Sequence, residues 1–302
     1  MKKSAISAVA VLFGLFAGGA SATDYTVSVE PNYPPAQAQQ VYQPLLNYLS
    51  RATGQRFILR TSGNYHVFWR DLRGATPVDF AFEEAHFTDY RINHQRFIPL
   101  ARVADPTKFI LLVDPSNAAA GANGLIGRRI ASMSAPSLGY LLLGELYKNP
   151  IAQPEVQSAA ASWKDGVEMV FAGETDAAMV PGYIAQTYPN LTSVATSREF
   201  VGRGFSASAR VPADVRKKVA DALLRLNRDP ASHDVLDEIG ATQFVPATAA
   251  DYAGNERLLR GVFGYAAMPG GRVAPSMAAP VEAGAAVVAQ PSTGLQIKAS
   301  RH

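Results

Sequence analysis

Residues 124–147 read GLIGRRIASMSAPSLGYLLLGELY, and the order of features in this stretch decides the fold. Arg129 to Met133 has the short apolar character of a buried strand, SAPSLGY (134–140) has turn chemistry, and Leu138 to Tyr147 reads as a helix. A strand that passes through a short turn directly into a helix is half of a βαβ unit. Ser137 stands where its hydroxyl can cap that helix. The same position is a helix mouth, where free N–H groups and the helix dipole favour negative charge. Both roles remain open for Ser137 at this point.

Working outward, the same alternation recurs. Tyr25 to Val29 predicts a strand, and a helix from about Ala38 carries Val41, Leu45 and Leu49 on one stripe until Gly54 closes it. Further strands are expected at Phe57 to Leu59, Val78 to Phe82, Phe109 to Val113, Asp176 to Val180, Ser193 to Ala195 and Phe205 to Ala209. Helices are expected at His66 to Arg73, Glu84 to Ile92, Trp163 to Ala172, from Pro212 with Val215, Val219 and Leu223 inward, and from Ala249 to Phe263. Repeated units of this kind predict an α/β protein with parallel sheets. The beginning and end of the chain form one cluster of units and its middle another, which predicts two lobes with a cleft between them, where small ligands bind.

The two ends differ from the body. Lys2 and Lys3 precede an apolar run that closes on Ala20-Ser21-Ala22, the pattern of a secretory signal peptide cleaved after Ala22. The run is shorter than the ~20 residues that span a bilayer. From 267 to 302 the chain is rich in Ala, Pro and Gly without periodicity, and a disordered tail is expected. There is no cysteine among the 302 residues, which excludes disulfides, thiolate metal sites, a cysteine nucleophile and a lipid-attachment cysteine. Without Lys2 and Lys3, 26 basic residues face 25 acidic ones, so nothing points to nucleic acid or to a polybasic membrane partner.

The ordered set QPLLNYLSRATGQ, NYHVFWRDLRGATPVDFAF, GLIGRRIAS before the Ser/Gly turn, WKDGVEMVFAGETDAAMV and VPADVRKKVADALLRL resembles the phosphate/phosphite/phosphonate ABC-transporter binding proteins. The resemblance covers about residues 24 to 265 and implies the two-lobed type II periplasmic-binding-protein fold. Lobe one would hold 24–103 plus 201–265 and lobe two 104–200, with hinge crossings near Arg102 to Asp105 and Thr196 to Val201. Lobe closure around the ligand would follow.

The resemblance also implies a site. The family's anion cradle falls on Pro136, Ser137, Leu138 and Gly139, with Ser134 and the Tyr140 amide beside it, although Pro136 removes one donor. Tyr65 matches the family's ligand-bonding aromatic. The family's histidine corresponds to Trp163 or Ser162, its hinge tyrosine to Thr107, and its two acidic positions to Tyr183 and Arg203, so an aminoalkyl phosphonate is disfavoured. Arg203, with Arg198 as its competitor, suits a carboxylate or phosphate through paired hydrogen bonds. In FEEAHFTDYR, Glu83, Glu84, His86 and Asp89 could ligate a divalent metal, but one histidine and no second cluster favour a solvated helix start, with His86 as a pocket residue.

These readings predict a non-enzymatic, monomeric periplasmic binding protein that captures a small, anionic, phosphate- or phosphonate-like solute, needs no cofactor or metal, and docks on an ABC permease. A sensor-kinase partner is the alternative, and a metal-dependent or serine hydrolase a further one. No G-x-S-x-G elbow, P-loop or dinucleotide loop occurs.

Overall fold

The computed structural model describes residues 23–229 and 233–266. The signal peptide expected at 1–22 and the tail expected at 267–302 lie outside the described residues. The chain begins β1 (Asp24–Val29), α1 (Pro35–Thr53), β2 (Arg56–Arg60), α2 (Tyr65–Arg73), β3 (Phe80–Glu83), α3 (Ala85–Gln95) and β4 (Phe97–Val103). Its middle is β5 (Phe109–Val113), β6 (Arg129–Ala131), α4 (Leu138–Leu146), β7 (Glu155–Gln157), α5 (Trp163–Phe171), β8 (Ala177–Pro181), α6 (Gly182–Ala185) and β9 (Thr192–Thr196). It returns through β10 (Gly204–Ser208), α7 (Ala213–Leu223), α8 (His233–Glu238), β11 (Phe244–Pro246) and α9 (Ala249–Tyr252).

Two sheets result, one in the order β11-β4-β10-β3-β1-β2 and one in the order β7-β6-β8-β5-β9. The parallel sheets expected from the alternation are a correction, because both sheets are mixed. β1 runs parallel to β2 and β3, but β10 runs antiparallel to β3 and β4. β10 reaches its sheet from the other lobe, not through a local helical crossover, so the handedness that keeps βαβ strands parallel does not act on it. β5 is antiparallel to both its neighbours for the same reason.

Proline and glycine account for the remaining departures. Pro35 opens α1 ahead of the expected Ala38, because its missing N–H costs nothing at the first helical position. β4 contains Pro99 and was not expected; Pro99 sits where the register with β10 shifts between Phe205 and Ser206, and the bulge removes the need for its N–H. The helix expected from Ala249 to Phe263 ends at Tyr252, since Gly254 (φ 88°) and Gly261 (φ 84°) adopt the left-handed conformation and only short 3-10 segments follow.

The chain crosses between the sheets twice, and the crossings pair. Thr107 and Phe200 exchange backbone hydrogen bonds of 2.9 and 2.8 Å, and the Val103 amide donates to the Arg203 carbonyl at 3.0 Å. At Gly202 the strands meet so closely that a Cβ would lie 2.2 Å from the Val103 carbonyl oxygen. One apolar core, with Leu45, Phe82 and Phe205, fills the α1/α7 face of the first sheet. A second joins Tyr65, Trp69 and Phe87 to Phe109, Leu138 and Trp163, so it bridges both sheets beside the cleft. Burying side chains of this size contributes about 1.5–3 kcal/mol each.

Candidate functional site

α4 starts at the expected residue, and Ser137 caps it. The Ser137 hydroxyl accepts from the Tyr140 amide at 3.3 Å and donates to the Met133 carbonyl at 2.9 Å. Ser134 accepts from the Ser137 amide through its carbonyl at 2.9 Å. Ser137 and Leu138 are buried, whereas the Tyr140 side chain turns outward. Gly139 is covered: a Cβ there would lie 3.0 Å from Cη2 of Trp163 and 3.1 Å from Cε1 of Phe109. The helix mouth is therefore packed against an indole. Ser162 instead caps α5, accepting from the Asp165 amide at 3.1 Å.

The Trp163 N–H reaches across to the first lobe and donates to Asn32 Oδ1 at 2.9 Å. The same oxygen accepts from the Tyr65 hydroxyl at 2.6 Å, and Tyr65 also lies 2.8 Å from Glu30 Oε2. Glu30 Oε1 accepts from the Glu84 amide at the start of α3. Tyr65 has one proton for two acceptors. Burial, and then the neighbouring Glu84 carboxylate, push the Glu30 pKa well above the usual carboxyl value, so a proton on Glu30 completes the chain by donating to Tyr65 while Tyr65 donates to Asn32. His86 makes a second link between lobes: its Nε2–H donates to the Pro136 carbonyl at 3.1 Å. Burial lowers the His86 pKa to about 3, with the bond to Pro136 opposing, so the ring is neutral. The structure thus brings Tyr65, His86, Ser137, Gly139 and Trp163 together, and their side-chain polar atoms are taken up by Glu30, Asn32, the Tyr140 amide and the carbonyls of Met133 and Pro136.

A separate cavity of about 740 Å³ opens between the lobes and reaches the other candidates. Thr107, Tyr183 and Arg203 line it, with Glu84, Lys108 and Lys164. Arg203 is buried, and its guanidinium carbon stands 4.8 Å from the Phe82 ring centre and 5.3 Å from that of Tyr183. Its Nη2 donates to the carbonyls of Ile239 and Gly240, while Nε and Nη1 make no hydrogen bond to any described residue. Gly240 (φ 60°) lies against Tyr183, and a Cβ would come within 2.5 Å of that ring. Glu84 is buried in the same wall and its Oε2 has no hydrogen-bond partner among the described residues. Burial raises its pKa to about 7, against the pull of Arg203 and the Thr107 hydroxyl.

Arg198 goes elsewhere, over the Phe200 ring and toward Glu145 at 3.6 Å. The acidic cluster of FEEAHFTDYR disperses. Glu83 takes a bidentate, buried pair with Arg91, the closest contact being 2.6 Å, and Asp89 accepts from the Glu256 amide at 2.9 Å. Among the described residues no three His, Cys, Asp or Glu side chains converge as a metal site. These residues are buried, which corrects the expected solvated helix start: α3 is enclosed by the first sheet and the C-terminal segment.

Sequence reasoning missed Glu30, Asn32, Tyr33, Lys108 and Lys164. The signal for the first three was present, since EPNY (30–33) directly follows β1, and ligand crevices in α/β sheets form at the carboxyl ends of strands.

Two mixed sheets joined by paired crossings, with a polar cavity between them, define a two-lobed solute-binding protein. A sequence model of the family described as ABC transporter, phosphonate, periplasmic substrate-binding protein matches residues 27–252, and the chain belongs to that family. Among solved structures, PhnD1 from Prochlorococcus marinus in complex with methylphosphonate is similar at 15% identity and a TM-score of 0.68, over 80% of this chain and 99% of that one. A binding protein component of an ABC phosphonate transporter from Pseudomonas aeruginosa, PA3383, is similar at 12% identity and 0.65, over 79% and 86%. XAC2383 from Xanthomonas citri bound to ATP follows at 16% and 0.58, over 78% and 98%. At such identities these structures establish the fold. No curated protein matches the sequence significantly. The family is one of periplasmic substrate-binding proteins, not enzymes.

Proposed function

We propose that the chain captures a small solute in the cavity between lobes 24–103 plus 201–265 and 104–200, with the solute's anionic group against Arg203, and delivers it to an ABC permease. The observation that carries this reading is the state of Arg203. Its guanidinium is held in place by two carbonyls and two aromatic rings, yet Nε and Nη1 have no protein partner among the described residues and the residue lines the cavity. A fixed guanidinium with a free edge suits a carboxylate or phosph(on)ate oxygen pair. Thr107 and Tyr183 are the accompanying contacts. Tyr65, His86, Ser134, Ser137, Leu138, Gly139, Tyr140 and Trp163, which the resemblance assigns to the ligand, form the wall beside it in this reading.

Signal cleavage after Ala22 would release a monomer whose first residue is Thr23. One preparation tests the set: protein recovered from the periplasm is measured by intact mass and light scattering, then titrated with phosphate, phosphonates, sulfonates and carboxylates. An anion is expected to bind with the lobes intact in chelator, and Arg203→Gln to weaken it by about 10- to 100-fold, the loss of one or two charge-assisted hydrogen bonds. Binding that ignores Arg203→Gln but collapses with Ser137→Ala or Tyr65→Phe would return the ligand to the helix mouth and reject this site.

A further inference from the structure

The cavity holds a cation that the anion reading of Arg203 leaves unused. Lys108, the residue before β5, lines it together with Lys164 of α5. Among the described lysines, Lys148, Lys164, Lys217 and Lys218 are exposed, and Lys108 alone is half-buried. Lys217 and Lys218 pair with Asp221 and Asp214 along α7. Lys108, in contrast, makes no side-chain hydrogen bond or ion pair to a described residue. Its stem is nevertheless placed. The Gly182 amide donates to the Lys108 carbonyl at 2.8 Å, and Cγ and Cε run 3.4 and 3.8 Å from where a Cβ of residue 182 would stand. The next residue is Tyr183, whose ring centre is 5.3 Å from the Arg203 guanidinium carbon, so Gly182 and Tyr183 together touch both cations. An ammonium drawn partly out of water without an acceptor is costly, and its three donors are left to an acceptor that arrives from outside.

We propose that Lys108 selects a solute with two anionic groups, a small organic dianion whose first group meets Arg203 and whose second, a carboxylate or phosphonate, meets the Lys108 ammonium. This rests on the anion reading of Arg203 and adds the far end of the ligand. The charges of the two walls support the placement. The wall formed by β5, α5, β8 and α6 contributes Lys108 and Lys164 and no carboxylate. The carboxylates of the cavity belong to the other lobe or are engaged. Asp234, Asp237 and Glu238 are exposed on α8, where water and salt screen them. Asp105 accepts from the Thr242 hydroxyl and amide at 2.5 and 3.1 Å, and Glu84 is pulled on by Arg203 and the Thr107 hydroxyl. A second anionic group therefore gains on the Lys108 side. The volume of about 740 Å³ holds both ends and a carbon chain between them. A lysine suits this role, because a point charge with rotatable donors accepts either kind of group.

Matched solutes in which a methyl group replaces the second anionic group test the proposal: succinate and butyrate, glutarate and valerate, 3-phosphonopropionate and propylphosphonate. Each is titrated calorimetrically into the chain recovered from the periplasm. In at least one pair the two-anion member is expected to bind about ten-fold or more tightly, the size of one charge-assisted hydrogen bond. Lys108→Gln is expected to reduce that ratio to about two- to three-fold, the size of a neutral hydrogen bond, while Lys108→Arg keeps most of it. Lys164→Gln, changed at the exposed end of the same wall, is expected to alter the ratio by less than about two-fold. Equal or tighter binding of the single-anion members, or a preference that survives Lys108→Gln, overturns the proposal. So does a loss on Lys108→Gln that is equal for both members of a pair, which would make Lys108 a contact between the lobes instead of a contact to the second anion. In each of these cases a single-anion solute lost on Arg203→Gln leaves the anion site standing, whereas binding by no member of any pair rejects both readings.

Discussion

Glu84 and His86 lie two residues apart, both are buried, and burial moves them in ways that oppose each other in pH. Burial holds Glu84 near 7 against a usual 4.5, so the folded chain keeps a proton that the unfolded chain has released. Its contribution therefore falls as pH rises from about 4.5 to about 7 and is level above that. His86 titrates near 3 when folded and at about 6.5 when unfolded, so its contribution is lost as pH falls through that window. The two slopes offset each other where the windows overlap, and single variants separate them. Relative to the parent, Glu84→Gln is expected to gain stability between about pH 5 and pH 7.5, and His86→Gln to gain it between about pH 6.5 and pH 4. Urea unfolding at several pH values reads this directly; variant curves parallel to the parent's would mean neither group titrates as its burial implies. Residue types at this scale were readable in part. Thr107, Tyr183 and Arg203 were legible because the resemblance fixed their places on the chain. Glu30 and Asn32 were not, because their partners Tyr65, Trp163 and the Glu84 amide lie 33 to 131 residues away.

At the scale of elements, the paired crossings join the two sheets, and Gly202 lies where they pass in closest contact. A methyl group there meets the Val103 carbonyl oxygen at 2.2 Å and that of Asp105 at 2.6 Å, both backbone atoms that cannot swing aside. Gly202→Ala is expected to cost about 1–3 kcal/mol, as overpacking typically does, and to weaken ligand binding because the crossings must spread. Denaturant unfolding that matches the parent would show that the strands part without cost. Apolar periodicity made α1, α2, α5 and α7 legible to within a few residues, and the short apolar runs gave β1, β5 and β8. The directions of β5 and β10 were not legible, since they depend on which lobe the chain comes from. β4 was hidden by Pro99, and the short segments after Tyr252 by glycines whose φ is set in the fold.

The molecule as a whole is held shut on one side of the cleft by protein-to-protein bonds, Trp163 to Asn32 and His86 to Pro136, over an apolar core common to both sheets. The closed arrangement is therefore expected to persist in solution before any ligand is added. Small-angle scattering of the ligand-free chain is predicted to show the compact form, and Trp163→Ala to expand it while lowering stability by about 3–5 kcal/mol. A ligand-free parent already as expanded as the variant would show that the indole does not hold the lobes together.

Glu30 gives that closed side a further consequence. Its carboxyl sits against the Tyr65 hydroxyl and the first amide donor of the α3 entry, in the neighbourhood where the resemblance places a captured head group. It is a competitor attached to the chain, present at an effective concentration on the order of millimolar or more. A dissolved anion would have to evict it and separate Trp163 from Asn32 as well. If the anionic group is held at Arg203, as proposed, this neighbourhood is filled by the chain itself and the solute is left to the open cavity.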